Sequence, residues 1–134
     1  MASEATELLQ RVPLFSGLDP RELETIGRTV HERTFKAGDT VASEGEGGVG
    51  FFVIRDGEAK VEVGGTEVRT LGPGDHFGEI ALITEGPRTA TVTASSELKC
   101  YGLTPWEFRP LVQTNASIAW KLLQALAKQL DQRH

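Results

Sequence analysis

The sequence predicts a mixed α and β fold, mainly β, in which a small antiparallel β-barrel is flanked by helices. Short segments with a period of two, divided by glycine turns, occupy the middle of the chain. Both ends of the chain instead place apolar residues at helical spacing. Because no helical segment separates the strands, a doubly wound parallel sheet is excluded.

The length of the chain predicts a single domain. Its 134 residues, 39% of them hydrophobic, suffice for one domain with its own core and are too few for two. We expect N-terminal helices at 1–31, the barrel at 32–103, and a hinge with lid helices at 104–134.

Two short helices are expected before the strands. The first covers residues 3–11, because Pro13 disfavours a helical conformation in the residue before it. The second begins with a capping box made by Asp19 and Glu22, with Pro20 in its first turn. Apolar residues at helical spacing form its buried face, namely Leu23, Ile26 and Val30. Three further apolar residues are expected to hold these helices to the body of the domain: Leu14, Phe15 and Leu18.

Seven strands follow in the sequence, each bounded by turn residues. They lie in the segments ERTFKAG, TVASEG, GFFVIRDG, EAKVEVGG, TEVRTLG, TATVTAS and LKCYGL. Asp56-Gly57 and Gly64-Gly65 are typical of tight hairpins. The segment GEGGVG lacks the lysine and the helix that follow a phosphate-binding loop, so we interpret it as a hairpin.

The end of the chain predicts two helices. Thr104, Pro105 and Glu107 have the order of cap, proline and acid that starts a helix, and Pro110 then costs a hydrogen bond or marks a hinge. Asn115 is expected to cap the last helix. Its apolar stripe consists of Ile118, Ala119, Leu122, Leu123, Leu126, Ala127 and Leu130. We expect this stripe to pack against the barrel; a homodimer through the same helix, or cover over the base of a ligand, are the alternatives.

The charge and the cysteine content of the chain limit which partners and which cellular compartment we expect. A net charge of −5 without a basic cluster predicts no nucleic-acid partner. No apolar stretch approaches membrane-spanning length, and the acidic N-terminus lacks the basic and apolar parts of a signal peptide. We therefore expect no membrane partner and a cytoplasmic location. The single cysteine, Cys100, agrees with a reducing compartment and is expected in the core.

Residues 71–94 predict a site for a ribose phosphate. Gly78 leads into a short helical turn whose first N–H groups attract negative charge. Arg88 follows a Gly-Pro turn and can return over this helix start to bind a phosphate. A carboxylate beside a phosphate would repel it, so Glu79 is expected to accept a hydrogen bond from a sugar hydroxyl such as a ribose 2′-OH.

FGEIAL, followed by a short loop and PRTATV, resembles the phosphate-binding cassette of the cyclic nucleotide-binding domain family. The resemblance extends over roughly the whole chain and implies an eight-stranded antiparallel jelly-roll-like β-barrel, with a short helix in a cassette at 77–90. It implies that Glu79 binds the ribose hydroxyl and that Arg88 binds the cyclic phosphate. The backbone of Gly78, Ile80 and Ala81 would complete the phosphate cradle. Thr89 and Ala90 would follow the arginine, as in the family.

The same resemblance implies a sensor, not an enzyme. Its ligand would be a cyclic nucleotide, with no other cofactor and no metal, and its C-terminal helices would signal to an unidentified effector protein or domain. The family rests the purine on an apolar strand, at Val61 or Val63; we expect alternation to let only one of them face inward, and we prefer Val61. Thr89 permits cyclic GMP without requiring it, whereas the valines offer only apolar contact, which favours cyclic AMP.

Two other classes of function stay open on the sequence alone. PGDHFGE is similar to the metal-binding half-motif of cupins, in which His76 and Glu79 would be ligands, but a catalytic metal normally needs three protein ligands. Nothing places His31 near His76, and we expect His76 in a solvent-facing turn. The second alternative is a protein interaction module that kept the barrel and lost its ligand, and the presence of Glu79 and Arg88 argues against it.

Overall fold

The computed structural model of the protein describes residues 3–43, 45, 50–84 and 89–132. The chain divides into two compact units, Met1–Val30 with Trp106–His134, and His31–Pro105. The helices are α1 (Glu4–Gln10), α2 (Pro20–Gly27), α3 (Pro105–Thr114) and α4 (Ala116–Asp131), with 3₁₀ helices at Pro13–Phe15 and Ile80–Leu82. The strands are β1 (His31–Phe35), β2 (Thr40–Ala42), β3 (Phe51–Asp56), β4 (Ala59–Val63), β5 (Thr66–Leu71), β6 (His76–Phe77), β7 (Thr91–Ala94) and β8 (Leu98–Leu103). None of the helices in these ranges combines the length and the apolar content that a bilayer span requires.

The β unit consists of two four-stranded antiparallel sheets, with strand orders β1-β8-β3-β6 and β2-β7-β4-β5. The predicted mixed, mainly β class and its eight antiparallel strands are confirmed. In the part of the chain described, the strands form two sheets and not one closed barrel. The strand missing from the seven predicted segments is β6. It has only two residues, which are too few to show a period of two in the sequence.

The core of the β unit lies between the two sheets. Its buried residues come from both sheets and include Phe52, Ile54, Ala59, Val61, Leu71, Phe77, Val92, Ala94, Leu98 and Cys100. The rings of Phe52 and Phe77 stack with their centroids 5.4 Å apart, so the short strand β6 is held by its side chain as well as by its backbone. Cys100 is 2% exposed. Burial raises the pKa of its thiol to about 12, although Arg33 opposes the shift, and the prediction of a core cysteine is confirmed.

The predicted hairpin at Gly64-Gly65 is confirmed, but the one at Asp56-Gly57 is wrong. β4 pairs with β5 across Gly64-Gly65, whereas β3 and β4 belong to different sheets. Gly57 has φ +92°, and a Cβ there would lie 2.1 Å from the carbonyl oxygen of Glu97. This glycine therefore turns the chain from one sheet to the other, close against the turn before β8. The dipeptide signal indicates a turn without indicating which strands it joins.

The N-terminal helices begin as predicted. The Asp19 carboxylate accepts from the backbone N–H of Glu22, and the Glu22 carboxylate accepts from that of Asp19, each at 2.9 Å, which completes the capping box. α2 ends at Gly27, so Val30 lies beyond the helix and not on its apolar face. The three apolar residues between the helices are buried, and their contact with the body of the domain stays a prediction: Leu14, Phe15 and Leu18.

The C-terminal helices differ from the prediction in the cap of α4 and in the exposure of its apolar stripe. α3 continues through Pro110, which lacks the N–H that would bond to the carbonyl of the residue four positions earlier. Asn115 occupies the cap position of α4, but its side-chain amide donates to the carbonyl of Leu111 at 2.7 Å and does not cap α4. On the apolar stripe, two residues are buried and two are largely exposed: Ile118 and Leu122, then Leu123 and Leu130.

Candidate functional site

The predicted cassette starts from a firmly held strand at the edge of the first sheet. His76 lies opposite Val53 and Phe77 lies opposite Phe52 in the register of β6 with β3. Just before this pair, the N–H of Ile54 donates to the carbonyl of Asp75 at 2.8 Å. The chain therefore enters the cassette with both its backbone and its side chains fixed.

Gly78 redirects the chain from β6 into a 3₁₀ helix. Its φ of +89° lies in the left-handed region, which glycine adopts without strain. The N–H of Ala81 then donates to the carbonyl of Gly78 at 3.0 Å, and that of Leu82 to the carbonyl of Glu79 at 3.2 Å. Leu82 is 4% exposed and anchors the far end of the turn. The predicted helical turn after Gly78 is confirmed, although it is a 3₁₀ turn.

The start of this turn presents N–H groups to an anion. In the part of the chain that the structure describes, no hydrogen-bond acceptor is recorded for the backbone N–H of Glu79 or Ile80. Both groups precede the first bond of the 3₁₀ turn, where a helix leaves its donors without internal partners. A phosphate oxygen is a suitable acceptor for them, because helix starts attract negative charge.

Glu79 lies beside His76, a contact that sequence reasoning missed. Glu79 Oε2 is 3.7 Å from His76 Nε2, and the two side chains are 27% and 25% exposed. His76 is part of β6, and its ring centroid lies 6.1 Å from that of Phe51. The prediction of a solvent-facing turn histidine is therefore wrong, because a two-residue strand orients this side chain. One feature of the sequence could have indicated this contact: His76 and Glu79 are three residues apart, with Gly78 between them.

Residues 85–88 lie outside the described residues, so the contact of Arg88 with a phosphate stays a prediction. Directly after Arg88, Thr89 is exposed, while Ala90 packs against the core of the β unit. These two residues lead into β7, which begins at Thr91.

Val61 lies inside the β unit and Val63 does not. Val61 is 5% exposed and lies opposite Val92 of β7, whereas Val63 is 44% exposed. Alternation is not the reason, because residues two apart share one face of a strand. Val63 lies beyond Glu62, the last residue of β4 that pairs with β7, and so lacks a neighbour on that side. The contact of Val61 with a purine stays a prediction.

The cupin-like alternative gains no third ligand. Among the residues described, no three His, Cys, Asp or Glu side chains are grouped so that they could hold a metal ion. His76 and Glu79 form a pair, which is one ligand fewer than a catalytic metal site normally uses.

Comparison with known families decides which kind of domain this is. A family model described as the cyclic nucleotide-binding domain matches residues 32–115. The chain belongs to this family. The family is a regulatory, ligand-binding one and not a catalytic one, and the matched residues include all of β1 except His31 and the whole of strands β2 to β8.

Relatives of this cyclic nucleotide-binding domain include kinases, regulatory subunits and transcriptional regulators. The N-terminal domain of a transcriptional regulator from Streptomyces coelicolor A3(2) superposes with a TM-score of 0.88 at 31% identity, covering 95% of this chain and 94% of that one. A cAMP-dependent protein kinase regulatory subunit from Blastocladiella emersonii is 35% identical over 90% of this chain and 31% of its own length. A cGMP-dependent protein kinase from Toxoplasma gondii is 35% identical over 75% of this chain and 10% of its own length. The cyclic nucleotide-binding domain thus spans between a tenth and a third of these two curated relatives.

Proposed function

We propose that this domain binds cyclic AMP in preference to cyclic GMP and signals binding through its C-terminal helices. The observation that carries the proposal is the turn after β6, where the N–H groups of Glu79 and Ile80 and the carboxylate of Glu79 come from one short segment. The N–H groups suit a phosphate and the carboxylate suits a hydroxyl donor. A ribose with a cyclic phosphate presents both groups close together.

The phosphate requires a cation in addition to the N–H groups. Arg88 supplies it in this proposal, with charge-assisted bonds to the exocyclic oxygens, and the N–H groups of Glu79 and Ile80 add to it. Gly78 and Ala81 shape the cradle through the bond from the Ala81 N–H to the Gly78 carbonyl. Thr89, exposed next to Arg88, and Ala90 complete the segment.

The base rests on an apolar surface in this proposal. Val61 has no polar side-chain atom, so adenine meets no unpaired protein group there, whereas the N2 amine and O6 of guanine gain no partner from it. Since the names of the relatives include both cyclic AMP and cyclic GMP, the preference for cyclic AMP rests on this chemistry alone.

The output is a change in α3 and α4 that an effector protein or domain detects. β8 leads through Thr104 directly into α3, so the chain offers a continuous route from the β unit to the helices. A ligand shifts such an equilibrium only by the difference between its affinities for the two states. We propose a cytoplasmic location, because cyclic nucleotides occur there and its reducing conditions keep a cysteine free.

Replacing Arg88 tests the phosphate role. Each charge-assisted bond is worth roughly 1.5 to 3 kcal/mol, so Arg88→Ala should weaken cyclic AMP binding at least about tenfold without unfolding the domain. Arg21→Ala, at an exposed position on α2, is the matched control and should bind like the parent. Equal affinity of Arg88→Ala and the parent would remove Arg88 from the site.

A further inference from the structure

His76 is held more rigidly than the residue it faces. Its backbone is paired with Val53, and its ring lies against the fully buried ring of Phe51, with centroids 6.1 Å apart and planes inclined by 38°. Two neighbouring turn bonds fix the approach to β6: Gly74 N–H donates to the carbonyl of Ile54 at 2.8 Å, and Asp75 Oδ2 accepts from Gly72 N–H at 2.8 Å. The backbone of His76 and one neighbour of its ring are therefore fixed.

Glu79 has no such support from its own segment. It follows Gly78 at φ +89° and precedes the 3₁₀ helix, and its side chain has three rotatable bonds. Among the residues described, the one ion-pair contact recorded for its carboxylate is the 3.7 Å approach of His76 Nε2 to Oε2. Asp75 directly precedes His76, but its carboxylate already accepts a hydrogen bond from the backbone N–H of Gly72.

The two oxygens of the Glu79 carboxylate have different roles in this geometry. Oε2 of Glu79 faces the imidazole, which leaves Oε1 to accept a hydrogen bond from a ligand. Nε2 of histidine carries a proton in one neutral tautomer and in the imidazolium, and in both forms it attracts a carboxylate oxygen. A carboxylate held in this way loses less rotational freedom when a hydroxyl binds to it.

We propose that His76 is a positioning residue for Glu79 and that it strengthens the discrimination for a ligand with a ribose 2′-hydroxyl. This inference rests on the proposed function, in which Glu79 accepts from that hydroxyl. His76 itself does not contact the ligand in this account. Its effect therefore appears in the ratio of affinities for cyclic AMP and 2′-deoxy cyclic AMP, and not in the affinity for the deoxy ligand.

Calorimetric titration with these two ligands tests the proposal. His76→Phe keeps a flat ring against Phe51 and removes the polar nitrogen, so the ratio should fall by roughly twofold to fivefold, the size of a partly exposed ion-pair contact. His76→Gln keeps a donor at similar reach and should retain most of the ratio. In a Glu79→Gln background, His76→Phe should change the ratio no further, because the carboxylate it positions is gone. His31→Phe, on β1, is the matched control and should leave the ratio unchanged.

Each contrary result has a separate meaning. If His76→Phe weakens both ligands by the same factor, His76 is a packing residue and the inference is wrong. If Glu79→Gln lowers the ratio while His76→Phe does not, Glu79 binds the ribose without help from His76. If the parent binds both ligands equally, the ribose role of Glu79 fails, and the inference fails with it. Should thermal unfolding show that His76→Phe does not fold, His76→Asn replaces it, because its shorter amide cannot reach Glu79.

Discussion

Glu22 on α2 and Lys121 on α4 are joined by a contact of 2.6 Å between Oε1 and Nζ. The same carboxylate accepts from the hydroxyl of Ser117 at 2.8 Å and from the backbone N–H of Asp19 at 2.9 Å. The hydrogen bond from Lys121, followed by that from Asp19, lowers the pKa of Glu22 from 4.5 to about 2. One side chain thus caps α2 and ties it to α4.

We predict that Glu22→Gln lowers the melting temperature at pH 7 by a few degrees and that this difference shrinks as the pH falls toward 2. Because the pKa of Glu22 is lower in the folded protein, its contribution is complete above about pH 4.5 and is lost as the pH falls to about 2. Melting curves from pH 7 to pH 2.5 measure both effects. Glu24→Gln, on the same helix, is the control. A difference between parent and Glu22→Gln that is the same at pH 3 and pH 7 would contradict the account.

Gly57→Ala should destabilise the β unit strongly. Alanine at φ +92° is strained, and its Cβ would lie 2.1 Å from the carbonyl oxygen of Glu97. Strain of this kind costs about 1 to 3 kcal/mol, and the clash adds to it. Urea unfolding measures the loss. Gly72→Ala is the matched control, because its Cβ would meet no atom within 4 Å and no positive φ is needed there. Equal stability of the two variants would show that the Gly57 turn relaxes freely.

The Thr89→Ala variant tests whether the domain is selective for cyclic AMP or for cyclic GMP. In a domain selective for cyclic AMP, Thr89 makes at most one modest contact, so affinity for cyclic AMP should fall by less than about 0.5 to 1.5 kcal/mol. The variant should still prefer cyclic AMP, as should the parent. Competition binding with both nucleotides measures this. A parent that prefers cyclic GMP, and a variant that loses that preference, would reverse the assignment.

Ligand binding should change hydrogen exchange in α3 and α4. The proposed signal requires that the helices differ in protection between the bound and free domain, since a ligand acts through its differential affinity. Exchange with and without saturating cyclic AMP, followed over residues 104–130, gives the answer. A change confined to 77–90, with 104–130 unaltered, would mean that binding does not reach the helices.

The elements of this fold were largely predictable from local patterns, whereas their partners were not. The capping box of Asp19 and Glu22 and the turn at Gly64-Gly65 depend on neighbouring residues, so the sequence is sufficient for them. The sheet change at Gly57 depends on the distant carbonyl of Glu97. Strand β6 pairs with the distant strand β3, where Phe77 stacks on Phe52, and no local period reveals this pairing.

The candidate site shows the same division. Gly78 and the turn after it could be predicted, because glycine at positive φ and a short helical run are local features. The contact between His76 and Glu79 could not, because a two-residue strand sets the direction of the imidazole. The burial of Val61 and exposure of Val63 also follow from the extent of pairing with β7, which the sequence of β4 does not contain.

The most direct test of the central claim is calorimetric titration of the parent domain with cyclic AMP and, separately, with cyclic GMP. We expect saturable binding of both, with one site per chain and a lower Kd for cyclic AMP. No saturable binding of either nucleotide at millimolar concentration would contradict it and would favour an interaction module that has lost its ligand.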